Sequence, residues 1–172
     1  MPLLKDAHFV TDAWVRVADD AALPEEGDVI VGFARLLKDW QALEKRKGGV
    51  GVEVPNVERA QTLELFLPKL KLIVLPFPAF TDGRAYSLAR QIRELGFRGE
   101  LRAAGNVLPD QLQFMISVGF DSFEVTERFP EPVWQRTASS MSVSYQARGG
   151  ARNVWSERHA EARPWFEQPH AG

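Results

Sequence analysis

The segment Phe80-Thr81-Asp82-Gly83-Arg84 carries the side chains best suited to anion binding, and it connects an apolar run to a stretch with helical spacing. The unpaired N–H groups of a helix's first turn attract anions. Arg84 adds a planar guanidinium that matches sulfate, phosphate or carboxylate, and Gly83 permits close approach. A structural role explains the same residues, because Asp82 can cap the helix and Arg84 can pair with Asp82 or Glu53. Both interpretations stay open.

A second polar segment, 105–111, follows the next predicted strand and contains Asn106, Asp110 and Gln111. At the carboxyl edge of a parallel sheet, these side chains could hydrogen-bond a ligand beside Arg84. The same residues also have an ordinary structural role, because Gly-Asn is typical of turns and Pro-Asp is typical of helix starts. The segment therefore predicts either ligand contacts or a turn followed by a helix.

Two glutamates, Glu53 and Glu124, each stand at the end of a predicted strand. A pair of carboxylates at one sheet edge could hold a divalent cation or carry out acid–base chemistry. Neither glutamate belongs to a spacing motif, and exposed glutamates at strand ends are common. The alternative is therefore a pair of solvated surface side chains.

Several kinds of chemistry are excluded by composition. The 172 residues contain no cysteine, which excludes disulfides, thiolate metal sites and cysteine nucleophiles. The three histidines, His8, His159 and His170, lie near the ends of the sequence. The phosphate-binding patterns G-x-G-x-x-G and G-x-x-x-x-G-K-[ST] are also missing. We therefore expect no metal and no cofactor.

The charge and hydropathy pattern is that of a cytoplasmic protein. The formal net charge is −2, so the general basic surface of a nucleic-acid-binding protein is missing. No apolar run approaches the roughly 20 residues that cross a bilayer, and the first residues do not resemble a signal peptide. We expect neither a nucleic-acid partner nor a membrane partner.

Alternating strands and helices predict an α/β fold built from βαβ units. We expect a mostly parallel sheet of about five strands with flanking helices, arranged as an open sheet or a partial barrel, since a closed barrel needs about 250 residues. Short antiparallel strands precede it, and a final helix and a tail follow. The predicted strands cover 29–31, 50–54, 71–76, 100–104 and 122–125, the short amino-terminal pieces cover 3–5 and 14–17, and the predicted helices cover 32–47, 57–67, 82–95, 108–118 and 133–145.

The last part of the chain differs in composition from the rest. We predict a single domain over 1–145 and an extended or disordered tail over 146–172, where Val154 is the only branched aliphatic residue. The tail nevertheless contains Trp155, Trp165 and Phe166. These aromatic residues are either anchors for a partner or contacts with the domain's own surface.

The run from Phe80 to Ser87 has the form F-x-D-G-R-x-x-S. With Gly99-Glu100-Leu101-Arg102-Ala103, Gly105-Asn106-Val107 and Gly119-Phe120-Asp121, it resembles an uncharacterised proteobacterial family, a domain of unknown function. Genes of this family commonly lie beside those for the sulfite reductase hemoprotein and phosphoadenylyl-sulfate reductase. Members are sometimes labelled oxidoreductases, a label without support in these residues. Asn106 stands where the family often has an acidic residue.

The resemblance implies a pathway rather than a reaction. It indicates an accessory protein of assimilatory sulfate or sulfite reduction, with sulfite reductase or another sulfate-assimilation protein as its partner. The candidate anion site is the Asp82-Gly83-Arg84 turn together with Ser87. The alternative is a small metabolic enzyme with a barrel-like rim site formed by Glu53, Arg84, Asp110 and Glu124. Whether the protein is an enzyme stays open.

Overall fold

The computed structural model describes residues 1–79 and 82–140, and the structural statements that follow refer to those residues. Twelve helices and strands form within them. In chain order they are β1 (Leu3–Lys5), β2 (His8–Val10), β3 (Trp14–Val17), β4 (Asp28–Gly32), α1 (Phe33–Glu44), β5 (Val50–Glu53), β6 (Leu70–Phe77), α2 (Arg84–Glu94), β7 (Glu100–Gly105), α3 (Leu112–Val118), β8 (Ser122–Glu124) and α4 (Glu131–Ser140).

All eight strands belong to one sheet, in the order β2-β1-β8-β7-β6-β5-β4-β3. Strands β3 to β8 are parallel and adjacent in chain order, whereas β1 is antiparallel to both β8 and β2. The predicted α/β class and the mostly parallel sheet are confirmed. The sheet has eight strands rather than about five, because the predicted short pieces 3–5 and 14–17 both join it and β2 was not predicted. A strand of three residues such as β2 is too short to show a period.

The amino-terminal strands divide between two roles. The antiparallel hairpin pairs β1 with β2, with Leu4 opposite Phe9. By contrast, β3 pairs in parallel with β4, with Val15 opposite Val29. The segment 14–17 is therefore the first member of the parallel series rather than part of an antiparallel flank.

The sheet is curled into a half-barrel. Arg16 on β3 reaches Glu124 on β8 with N···O distances of 3.0 and 3.1 Å, although four strands lie between β3 and β8. In a flat sheet five strand spacings amount to about 24 Å, which is beyond the reach of two side chains. The concave face must therefore bring strands from distant positions in the sheet towards each other.

The two faces of the sheet are packed differently. On the convex face, alternate strand residues such as Val31, Val52 and Leu75 pack with the helices in the main hydrophobic core. A smaller apolar group lies on the concave face, and it consists of Ile30, Leu72, Val74 and Ala104 with Trp14 against them. The charged concave positions form the network described below.

Two predicted helices are shorter than expected. Segment 57–67 contains only a 3-10 turn, Ala60–Leu63, where the Thr62 hydroxyl donates to the Arg59 carbonyl at 2.6 Å. Such local bonding competes with α-helix. Segment 108–118 likewise starts as a 3-10 turn, Pro109–Gln111, before α3 begins.

The carboxyl-terminal helix starts earlier than predicted, at Glu131. Its Trp134 is fully buried, and the indole Nε1 donates to the Phe129 carbonyl at 3.1 Å. The predicted tail, 146–172, lies outside the described residues, so its boundary stays a prediction. No helix within residues 1–79 and 82–140 combines the length and apolar character needed to cross a bilayer.

The backbone conformation at Gly105, at the end of β7, requires a glycine. Its φ is +98°, and an added Cβ would lie 2.7 Å from the carbonyl oxygen of Phe77. That same oxygen accepts a hydrogen bond from the Asn106 amide at 2.9 Å. Gly83, in contrast, has φ −76° and nothing within 4 Å of an added Cβ.

We therefore expect Gly105→Ala to lower the free energy of unfolding by about 1–3 kcal/mol, through backbone strain and the close contact with Phe77. The matched control, Gly83→Ala, should change it by less than about 1 kcal/mol. Urea denaturation of both variants provides the measurement. Equal stability of the two variants would show that Gly105 is not conformationally required.

Candidate functional site

A buried cation lies at the centre of the concave face. The Arg102 side chain is completely buried on β7. Its guanidinium donates to Asp12 Oδ2 at 2.7 Å and to Glu100 Oε1 at 2.9 Å, and it contacts Glu124 Oε1 at 3.3 Å. A buried guanidinium is tolerable only when its donors are paired. These three carboxylates satisfy that requirement.

A second arginine connects the two strand-end glutamates. Arg16 donates Nη1 and Nη2 to the two carboxylate oxygens of Glu124 at 3.0 and 3.1 Å. Its Nε donates to Glu53 Oε2 at 3.3 Å. The predicted pair Glu53 and Glu124 is therefore brought together, with a guanidinium between the two carboxylates. A positive charge at that position takes the place that a divalent cation would need.

These contacts form one network, which we call the concave ion network. Lys5 adds a further contact, with its Nζ 3.3 Å from Glu100 Oε2, and the Ser122 hydroxyl donates to Glu100 Oε1 at 2.6 Å. The members of the network are Lys5, Asp12, Arg16, Glu53, Glu100, Arg102 and Glu124. Four carboxylates face three cations, so the network neutralises itself to within one negative charge.

The network holds the carboxylate of Glu100 in the ionised form. Burial alone would raise the pKa of Glu100, but hydrogen bonds from Ser122 and Arg102, with the charges of Arg102 and Lys5, lower this pKa below 4.5 overall. A general acid at neutral pH needs a raised pKa. Glu100 is therefore suited to fixing Arg102 rather than to transferring a proton. Among the described residues, no cluster of three acidic or histidine side chains could hold a metal ion.

The predicted anion turn is paired internally. Arg84 Nη2 lies 2.7 Å from Asp82 Oδ2 and Arg84 Nε lies 2.9 Å from Asp82 Oδ1. The hydrogen bonds from the side chain and backbone of Arg84 hold the pKa of Asp82 far below its usual range. Asp82 Oδ1 also accepts a hydrogen bond from the Arg84 amide at 3.2 Å. Asp82 therefore caps the start of α2, although Gly83 occupies the N-cap position. Phe80 and Thr81 lie outside the described residues.

The other predicted site residues lie near that turn or on its helix. Ser87 is exposed on α2, one turn after Arg84. Asn106 and Asp110 are exposed, and Gln111 is half-buried. Burial raises the pKa of Tyr86, and the negative charge of Asp110 raises it further. The charge of Asp110 therefore affects Tyr86 on α2.

The predicted rim site divides into two parts. Glu53 and Glu124 meet at Arg16, whereas Arg84 pairs with Asp82 and Asp110 acts on Tyr86. Sequence reasoning missed Asp12, Arg16 and Arg102. The sequence does contain a signal for the two arginines. Each stands between two apolar residues of a strand, and because side chains alternate along a strand, each arginine must lie on the face opposite to those apolar neighbours. The curvature that buries this face is a tertiary property.

The first test concerns the concave ion network. We expect wild-type stability to fall as the pH drops below about 5, because a carboxylate whose folded pKa is lowered stabilises the fold above its ordinary pKa and loses that contribution on protonation. Glu100→Gln should lower the free energy of unfolding by about 1–3 kcal/mol at pH 7. It should also flatten the fall between pH 5 and pH 3. Denaturant titrations at several pH values measure both effects.

The control for this test is Glu94→Gln. Glu94 forms an exposed pair with Arg90 at i,i+4, and loss of that pair should cost less than about 0.5 kcal/mol and leave the pH dependence unchanged. An unchanged pH profile in Glu100→Gln would contradict the role assigned to Glu100.

The second test concerns the Asp82–Arg84 pair. Asp82→Asn removes the carboxylate that neutralises Arg84, so this variant should bind sulfate or sulfite more tightly than the wild type, by about threefold or more. The double variant Asp82→Asn, Arg84→Ala should lose that gain. Isothermal titration with sulfate measures the difference. Tighter binding by the wild type would mean that Asp82 does not compete with the anion.

Comparison with known proteins identifies a family but does not indicate which reaction, if any, the protein catalyses. A family model described as "Bacterial protein of unknown function (DUF934)" matches residues 51–155. No curated protein matches the sequence. The matched range contains the Asp82–Arg84 turn and also Glu53, Arg102 and Glu124, and it confirms the resemblance to a domain of unknown function. Since it covers well over half of the sequence, the chain belongs to the DUF934 family of bacterial proteins of unknown function.

Proposed function

We propose that this protein is an accessory component of assimilatory sulfate or sulfite reduction, acting with sulfite reductase by binding rather than by turnover. The observation that supports a binding role is the pairing of its charged strand-end residues. Arg16 and Arg102 are each held by two or more carboxylates, and Arg84 is held by Asp82. Fixed ion pairs of this kind position an element but do not exchange protons readily.

The pathway in this proposal comes from the family resemblance. The F-x-D-G-R-x-x-S run and its neighbours point to a family whose genes commonly accompany those for sulfite reductase. Family membership by itself supplies no activity, because unrelated functions occur on α/β scaffolds. Sulfite reductase is therefore the first partner to test, and a direct binding measurement is the decisive one.

The Asp82–Arg84 turn is the surface on which we expect partner contact. The Arg84 side chain is 60% exposed, and its Nη1 makes no hydrogen bond with a described residue. Because Asp82 already neutralises the guanidinium, a small free anion gains little net attraction there. A carboxylate or oxyanion on a partner surface, accompanied by other contacts, can still use the remaining donors. The turn is thus better suited to docking than to capture of free sulfite.

The test uses the full chain and purified sulfite reductase hemoprotein from the same bacterium. We expect binding that Arg84→Ala weakens by about three- to tenfold. The matched control is Arg90→Ala, since Arg90 is on the same helix, is 66% exposed and pairs with Glu94. This control should bind within about twofold of the wild type. Biolayer interferometry with immobilised hemoprotein measures all three affinities.

Two outcomes would contradict the proposal. Absence of binding at high micromolar concentrations by folded wild-type protein would remove the docking role. Catalytic turnover of a sulfur oxyanion by the isolated chain, dependent on Glu53 or Glu124, would favour the enzyme alternative. Equal weakening by Arg84→Ala and Arg90→Ala would locate the contact elsewhere on α2.

A further inference from the structure

An open cleft of about 1090 Å³ lies at the carboxyl ends of β3, β4, β5 and β6. Ligands of parallel sheets bind at this edge, and the volume slightly exceeds the range of about 300–1,000 Å³ for small-molecule sites. The cleft adjoins the concave ion network through Arg16 and Glu53, and its other lining residues come from the ends of β3, β4 and β6, from the start of α1 and from the segments after β3 and β5. Apart from Arg16 and Glu53, it offers a surface that the concave ion network and the Asp82–Arg84 turn do not use.

The cleft carries an excess of negative charge. Its charged lining residues are Arg16, Asp19, Glu53 and Glu58, which leaves two net negative charges. Arg16 is already shared between Glu53 and Glu124, so its charge is committed. Glu58 makes no ion pair and no hydrogen bond through its side chain with the residues that the structure describes.

The partial positive charge at the amino terminus of α1 does not offset the negative charge of the cleft. A helix amino terminus attracts anions, and Gly32 caps α1 without a side-chain bond. However, the Asp19 carboxylate lies against Gly32, with Oδ1 2.9 Å from the position of an added Cβ. The Asp19 carboxylate therefore places a negative charge beside this helix end.

Apolar surface lies beside these carboxylates. Leu37 on α1 is 52% exposed and lines the cleft. Phe33, Pro55 and Pro76 contribute further apolar lining. A ligand that filled the cleft would cover Leu37, and it would have to balance the carboxylates. The complementary chemistry is a positive charge next to an apolar group.

We propose that this cleft binds a peptide segment of a partner protein in which arginine or lysine stands beside an aromatic residue. Charge complementarity selects a cationic occupant, the exposed Leu37 selects an apolar neighbour, and the open volume suits several residues of peptide. The inference concerns the cleft alone. It does not depend on the identity of the partner proposed above, and it would survive the failure of that proposal.

The test uses the full chain and two synthetic peptides, Ac-Arg-Trp-Arg-Trp-NH2 and Ac-Glu-Trp-Glu-Trp-NH2, in isothermal titrations. The cationic peptide should bind, and its affinity should fall as salt is raised. The anionic peptide should bind at least tenfold more weakly. Glu58→Gln should weaken the cationic peptide by about two- to fivefold. Leu37→Ser should weaken it by about three- to tenfold.

The controls are matched in residue type and lie outside the cleft. Glu64→Gln and Leu65→Ser alter an exposed glutamate and a leucine that is 85% exposed, and both should leave the affinity within about twofold. The proposal is overturned if the cationic peptide does not bind, if both peptides bind alike, or if the controls weaken binding as much as the cleft variants. Self-association that the Leu37→Ser change abolishes would assign the cleft to a second copy and also overturn it.

Discussion

The buried guanidinium of Arg102 sets the constraint on which the curvature of this half-barrel depends. Removing a guanidinium from water costs several kcal/mol unless carboxylates and hydrogen bonds compensate for it. The compensating groups come from three places in the chain: Asp12 before β3, Glu100 on β7 and Glu124 on β8. Asp12 can reach Arg102 only if the sheet curls. Pairing of this charge and curvature of the sheet are therefore coupled.

The concave ion network and the cleft at the carboxyl edge of the sheet have different properties. Every cation of the concave ion network contacts a carboxylate. Towards β4 and β5 the acidic side chains outnumber their partners, and the apolar Leu37 is exposed. A fully paired region stabilises the fold, whereas an unbalanced and partly apolar region is where a partner gains most from binding. Binding at this edge is thus compatible with a rigid interior.

The sequence predicted local features well and long-range ones poorly. The buried runs of β4, β6 and β7 and the period of α1 and α2 are visible because a few neighbouring residues carry the signal. Segment 57–67 has a helical pattern of apolar residues, yet it forms turns, because Ala60, Leu63 and Leu67 can be buried without a regular helix. Glu53 and Glu124 could be placed at strand ends, but their meeting at Arg16 depends on strand order and curvature. No local pattern encodes those two quantities.

The charges of the concave ion network are distributed unevenly along the chain. Residues 51–155 contain Arg102 with Glu53, Glu100 and Glu124, which gives one cation for three carboxylates. Lys5 and Arg16, which relieve this excess, come from the amino-terminal strands together with Asp12. The matched range alone would therefore leave the concave face with unbalanced buried charge. Strands β1 and β3, with Asp12 between β2 and β3, are in this sense part of the same electrostatic unit as β5, β7 and β8.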